Sequence, residues 1–91
     1  MSEATTVKRN VAKVREFIDG WGAVDVEGVM SCLSKDIIYV NQPIEPVVGH
    51  ENVRKIVGGI MELSSAVNWE LRNCFGYGSV VVTERLDCWD F

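Results

Sequence analysis

From Ala66 to Phe91 apolar and polar side chains alternate, and the alternation is interrupted by Gly76-Tyr77-Gly78. That pattern permits little besides a β-hairpin. Successive strand residues point to opposite faces, so Val67, Trp69, Leu71 and Phe75 share one face of the first strand, with Asn68, Glu70, Arg72 and Cys74 on the other. The glycines supply the turn, and Ser79 to Phe91 returns alongside. On the returning strand Arg85 and Asp87 point the same way, about 7 Å apart, with Val81, Thr83, Trp89 and Phe91 as neighbours on that face. A guanidinium and a carboxylate in an apolar setting form either a structural ion pair or an acid tuned for chemistry. Arg-x-Asp by itself favours the ion pair.

Upstream the period changes to that of a helix. Val7, Val11, Val14, Ile18 and Trp21, with Phe17 beside them, fall on one face of an amphipathic helix from about Thr6 to Asp19, which Gly20 ends with a left-handed cap. Asp25 is the expected N-cap of a shorter helix that turns Val26, Val29, Met30 and Leu33 inward and exits through Ser34-Lys35-Asp36. Ile37 to Asn41 has strand composition, with Ile37, Tyr39 and Asn41 on one face and Ile38 and Val40 on the other. The strand stops at Gln42, because Pro43 has no amide proton to donate. Gln42 to Gly49 reads as a stiff loop rimming a pocket. A third helix from about Glu51 to Leu63 carries Val53, Ile56, Val57, Ile60 and Met61 inward. Gly58-Gly59 within it costs about 1 kcal/mol per residue relative to Ala, which implies close packing of another group. The order helix, helix, strand, helix, strand, strand gives an α+β domain with helices on one face of a sheet.

Ninety-one residues with 47% hydrophobic composition make a single globular domain, 1–91, near the lower size limit for an independent core. Nine basic against thirteen acidic residues, with no basic stripe, argue against a nucleic-acid partner. Cys32, Cys74 and Cys88 are odd in number and lack metal-ligand spacing, as expected for buried free thiols in a cytoplasmic protein. Met1 to Asn10 lacks the apolar core of a secretory signal, and no apolar run reaches membrane-spanning length. His50, the only histidine, is expected at a capping or surface position. The last strand runs to Phe91 in full pattern without cap or polar tail, leaving sheet edges that need cover. Two solutions exist: the chain is the N-terminal two-thirds of a larger domain, or a dimer pairs the edges.

Tyr39-Val40-Asn41-Gln42-Pro43, followed by Pro46, Gly49 and a helix, and then Thr83-Glu84-Arg85-Leu86-Asp87 on a hairpin strand, together resemble the limonene-1,2-epoxide hydrolase family. The resemblance extends from the first helix to the last residue. It implies the cone-shaped α+β fold shared with nuclear transport factor-like proteins, ketosteroid isomerases and polyketide cyclases, in which a curved mixed or antiparallel sheet wraps a deep pocket and N-terminal helices pack on it. It also implies roles for four residues. Asp87 donates a proton to the epoxide oxygen, Arg85 bridges two carboxylates, and Tyr39 and Asn41 hold the attacking water. The family's second Asp, which takes a proton from that water, has no counterpart in this sequence. The resemblance further implies a homodimer and a small apolar substrate, and the reaction calls for no metal or other cofactor.

Opening an epoxide with water needs a proton delivered to the departing oxygen and one removed from the water, each step worth typically 10²- to 10⁴-fold when a positioned group performs it. To donate a proton, Asp87 must hold one. Burial on an apolar face favours that and Arg85 opposes it, whereas a second carboxylate sharing Arg85 would let the pair retain a proton. Tyr39 brings a hydroxyl on a rigid ring, and Asn41 brings both a donor and an acceptor. Two other readings use the same residues. One is an isomerase or cyclase in which Asp87 acts on a ketone or polyketide. The other is a non-catalytic ligand-binding or dimerisation module with Arg85 and Asp87 as a structural pair.

Overall fold

In the computed structural model, which describes residues 2–41 and 44–90, three helices precede a long hairpin. The elements are α1 (Glu3–Gly22), α2 (Val26–Met30), β1 (Ile38–Tyr39), β2 (Val47–Val48), α3 (His50–Leu63), β3 (Ala66–Tyr77) and β4 (Val80–Asp90). The expected stop at Gln42 and Pro43 and the expected inward position of Phe91 lie outside the described residues. All pairing is antiparallel, in two separate ladders, β1 with β2 and β3 with β4, so the sheet is not closed. This is an α+β fold with its helices to the N-terminal side, consistent with the cone architecture.

Helix α1 begins earlier than its apolar pattern requires because the Ser2 hydroxyl accepts the Thr5 amide at 3.1 Å. It also ends later. Gly20 is not its cap but a buried helical residue pressed against α2, where an added Cβ would lie 2.9 Å from Val29 Cγ2 and 3.0 Å from its amide nitrogen. The left-handed position falls instead on Val24, with φ of 53°. The Val24 amide donates to the Trp21 carbonyl at 3.0 Å and the Asp25 amide to the Gly20 carbonyl at 2.9 Å, the bond pair of a Schellman termination. The glycine nearest the helix end is the expected cap, but the chain spends it on helix–helix contact. The left-handed conformation costs a β-branched residue about 1–2 kcal/mol. Val24→Gly is therefore expected to raise stability by about 1 kcal/mol and Gly20→Ala to lower it by about 1–3 kcal/mol, both read from urea unfolding midpoints. Equal shifts of the same sign would contradict this division of roles.

Asp25 caps α2 as its sequence implied, its Oδ1 accepting the Gly28 amide at 3.0 Å. His50 opens α3, and its ring Nε2 lies 2.9 Å from the Met30 carbonyl oxygen, tying α3 to the end of α2. The stretch expected to be only a loop before α3 contains β2, which folds back on β1 in the register Ile38 to Val48 and Tyr39 to Val47. The close packing expected at Gly58 and Gly59 is not found: a Cβ on either would meet nothing within 4 Å among the described residues.

Trp21, Val29, Met30, Val53, Val57, Met61 and Val67 form the buried core, contributed by the end of α1, by α2 and α3, and by the start of β3. The N-terminal half of α1 lies along the far end of the hairpin, where a Cβ on Gly76 would stand 2.8 Å from Val7 Cγ1. The turn is shorter than expected. Tyr77 pairs with Val80, leaving Gly78-Ser79 as the two-residue connection, with Gly78 at φ 58°.

A register shift between Leu71 and Asn73 leaves Arg72 as an extra residue in β3, a β-bulge that reverses the alternation beyond it. Phe75, expected to share the face of Val67, Trp69 and Leu71, is consequently outward and 58% exposed. It joins exposed Tyr77, Val80, Val82 and Leu86 on the outer face of the hairpin. The cysteines also differ from expectation: Cys32 and Cys74 are half-buried, Cys88 is exposed, and all three are free. The Cys32 thiol donates to the Gly28 carbonyl at 3.4 Å, and burial, with Glu16 nearby, pushes its ionisation up.

Candidate functional site

Between the inner face of the hairpin, the C-terminal half of α1 and the β1 strand lies a cavity of about 480 Å³, within the range of small-molecule sites. Its walls are mostly ring systems, Phe17 and Trp21 from α1, Trp69 from β3 and Trp89 from β4, completed by Ile60 and Val40. The rings interlock. Trp21 and Trp69 stack at 4.8 Å with an interplanar angle of 26°, and Trp89 meets both edge-on at 5.3 and 5.6 Å. Such pairs prefer offset-stacked or edge-to-face geometry because of the ring quadrupole. The helical spacing that buries Trp21 and the strand alternation that turns Trp69 and Trp89 inward together bring the three indoles to one wall.

Tyr39, Asn41, Arg85 and Asp87, the four residues singled out in the sequence, all line this cavity. They come from two separate ladders. On β4, Arg85 Nε donates to Asp87 Oδ1 at 3.1 Å and Nη2 to Oδ2 at 3.3 Å, a two-pronged contact, while Nη1 reaches Thr83 Oγ1 at 3.4 Å. Adjacent same-face positions on one strand make this possible. The pair is less buried than an apolar face implied, with side-chain exposures of 27% for Arg85 and 31% for Asp87, so as a stability element it is worth at most about 1 kcal/mol. Opposite it, Asn41 Nδ2 donates to the Tyr39 hydroxyl oxygen at 3.2 Å. The tyrosine keeps its own proton for donation, and the amide presents its carbonyl as an acceptor.

Among the described residues lining the cavity, Asp87 is the only carboxylate, and no cluster of side chains suited to holding a metal ion occurs among the described residues. Two contacts of Arg85 were not foreseen: the Thr83 hydroxyl, and the Trp69 ring, whose centroid lies 4.4 Å from the guanidinium carbon. Alternation placed Trp69 on the inward face, but its position opposite Asp87 follows from the two-residue turn and the bulge, neither of which the pattern shows.

Residues 14–91 match the SnoaL-like domain family. In three dimensions the chain is similar to an LEH-like epoxide hydrolase from M. tuberculosis, with a TM-score of 0.81 and 18% identity, over 91% of this chain and 62% of that one. It is also similar to an uncharacterized cystatin fold protein from Novosphingobium aromaticivorans, with a TM-score of 0.74 and 18% identity, over 90% of this chain and 87% of that one. No curated protein matches the chain in sequence. At such identities the likeness is one of fold, and this chain spans less than two thirds of the epoxide hydrolase's length.

Proposed function

The chain belongs to the SnoaL-like domain family, within the nuclear transport factor-like superfamily, and on that premise we propose that it serves an epoxide hydrolase, which adds water to a small apolar or terpene-like epoxide in one acid/base step to give a vicinal diol. The observation that carries this reading is the convergence of Tyr39 and Asn41 from one ladder and Arg85 and Asp87 from another on a single aromatic cavity. The rings receive the hydrocarbon part of the substrate. Tyr39 and Asn41 orient a water molecule, one donating to it and the other accepting from it. Asp87, held at the cavity wall by Arg85, acts as the acid, passing a proton to the epoxide oxygen as the carbon–oxygen bond breaks and the water oxygen bonds to carbon. In the epoxide hydrolase family that the chain resembles, a second Asp takes the proton that the water loses; among the described residues lining this cavity Asp87 is the only carboxylate. The reaction requires no metal or nucleotide. The apolar outer face of the hairpin fits a homodimer, and three free cysteines fit a cytoplasmic location; no described helix is long and apolar enough to cross a membrane.

One observation favours a second reading. Both Asp87 oxygens accept hydrogen bonds from Arg85, and no other carboxylate lines the described cavity. A lone carboxylate so held suits proton abstraction next to a carbonyl, the chemistry of an isomerase or cyclase. Incubation with cyclic and terpene epoxides in ¹⁸O-water, followed by mass spectrometry, separates the two. A diol carrying one heavy oxygen is expected. Absence of diol above the buffer rate from every epoxide, with turnover of a steroid-like ketone or a polyketide, would overturn the hydrolase in favour of the second reading.

A further inference from the structure

We propose that Trp69 is a positioning residue, the face of its indole holding the Arg85 guanidinium in line with Asp87. The inference deepens the site described above and rests on the hydrolase reading only for its kinetic consequence. Trp69 pairs directly across the ladder with Asp87, while Arg85 pairs with Leu71. Arg85 and Trp69 are thus diagonal neighbours on the inner face, a separation that long side chains bridge. Arg85 leans across that diagonal until its guanidinium lies 4.4 Å from the ring centroid. Its remaining contacts are the two to Asp87 and the long one to Thr83. An arginine on a strand carries considerable rotamer freedom, and a quarter of this side chain is exposed. Without a surface beneath it, the guanidinium has an open route to solvent.

The surface is itself fixed. Trp69 stacks on Trp21, which is 2% exposed, and is braced by the edge of Trp89 and the tilted ring of Phe17. The indole nitrogens of Trp69 and Trp21 are both buried with no hydrogen-bond partner among the described residues, a desolvation cost that Phe or Leu would avoid, and of the two rings Trp69 is the one beneath the Arg85 guanidinium. Trp offers the strongest cation–π face of the aromatic residues. At Trp69 that face meets the cation, 4.4 Å from the guanidinium carbon.

The test compares the wild-type chain with Trp69→Phe and Trp69→Leu. The heteronuclear ¹⁵N NOE of Arg85 Nε reports the order of the guanidinium, with backbone amides of β4 as the internal control. Order is expected to fall from Trp to Phe to Leu while the β4 amides hold steady. For diol formation, Trp69→Leu is expected to lower kcat on the order of tenfold with KM changed less, and Trp69→Phe to recover part of the loss. Equal Arg85 order in all three proteins overturns the proposal. Should Trp69→Leu fail to fold, an unchanged Arg85 NOE in Trp69→Phe overturns it equally. A wild-type chain that forms no diol, yet whose Arg85 loosens in the series, refutes the hydrolase and supports the role of Trp69.

Discussion

Asp87→Asn is expected to lower kcat for diol formation by about 10²- to 10⁴-fold. The substitution keeps the shape of the side chain but removes the proton that the departing epoxide oxygen must receive. The change should fall mainly on kcat, because an interaction realised in the transition state, and not in ground-state binding, leaves KM nearly steady. Stability should barely respond. The Arg85–Asp87 contact is about a third exposed, so its loss costs no more than about 1 kcal/mol. Arg85→Ala is expected to reduce turnover comparably, since Asp87 then loses both of its hydrogen-bonded contacts at the cavity wall. Steady-state kinetics with a terpene epoxide, alongside urea unfolding of each variant, check the pair of expectations. Turnover within threefold of wild type in either variant would remove the acid role from this side of the cavity.

Trp21→Ala is expected to cost about 3–5 kcal/mol, a large share of the roughly 5–15 kcal/mol that holds a domain together. Trp21 is 2% exposed and packs against Phe17, Trp69 and Trp89, so its removal opens a void where α1, β3 and β4 meet. Trp21→Phe, which fills most of that space, should cost considerably less. Urea midpoints and slopes decide the matter. A loss below about 1 kcal/mol for Trp21→Ala would mean that the indole is not the keystone its burial indicates.

The helices and the hairpin were legible because their signals are periodic. Val7 to Trp21, Val53 to Met61 and Val67 to Leu71 each repeat often enough for the spacing to choose helix or strand. The four polar residues of the cavity stand out only through the resemblance carried jointly by the Tyr-x-Asn and Thr-Glu-Arg-x-Asp segments, and all four line one cavity. What the sequence did not disclose depends on contacts between distant segments. Gly20 resembles any helix-ending glycine until Val29 is seen against it. Two-residue strands such as Ile38–Tyr39 and Val47–Val48 are too short to carry a period of their own. The unpaired Arg72 leaves no trace in a pattern that continues to alternate on either side of it.

That extra residue works as a change of phase. Before Arg72, odd-numbered positions of β3 face the cavity; after it, even-numbered ones face α1. Were Arg72 to pair with Glu84 as an ordinary strand residue, every later side chain of β3 would take the opposite face and Phe75 would stand in the place of Gly76, where even a methyl group comes within 2.8 Å of Val7. The hairpin would have to slide past its turn or shed the first half of α1. Substitutions at position 72 should pass with little effect, and deletion of this residue, which lets Asn73 follow Leu71 in the present pairing, should straighten the strand without turning a side chain over. What the chain is bound to keep is Asn73 opposite Glu84, with or without a residue looped out before it.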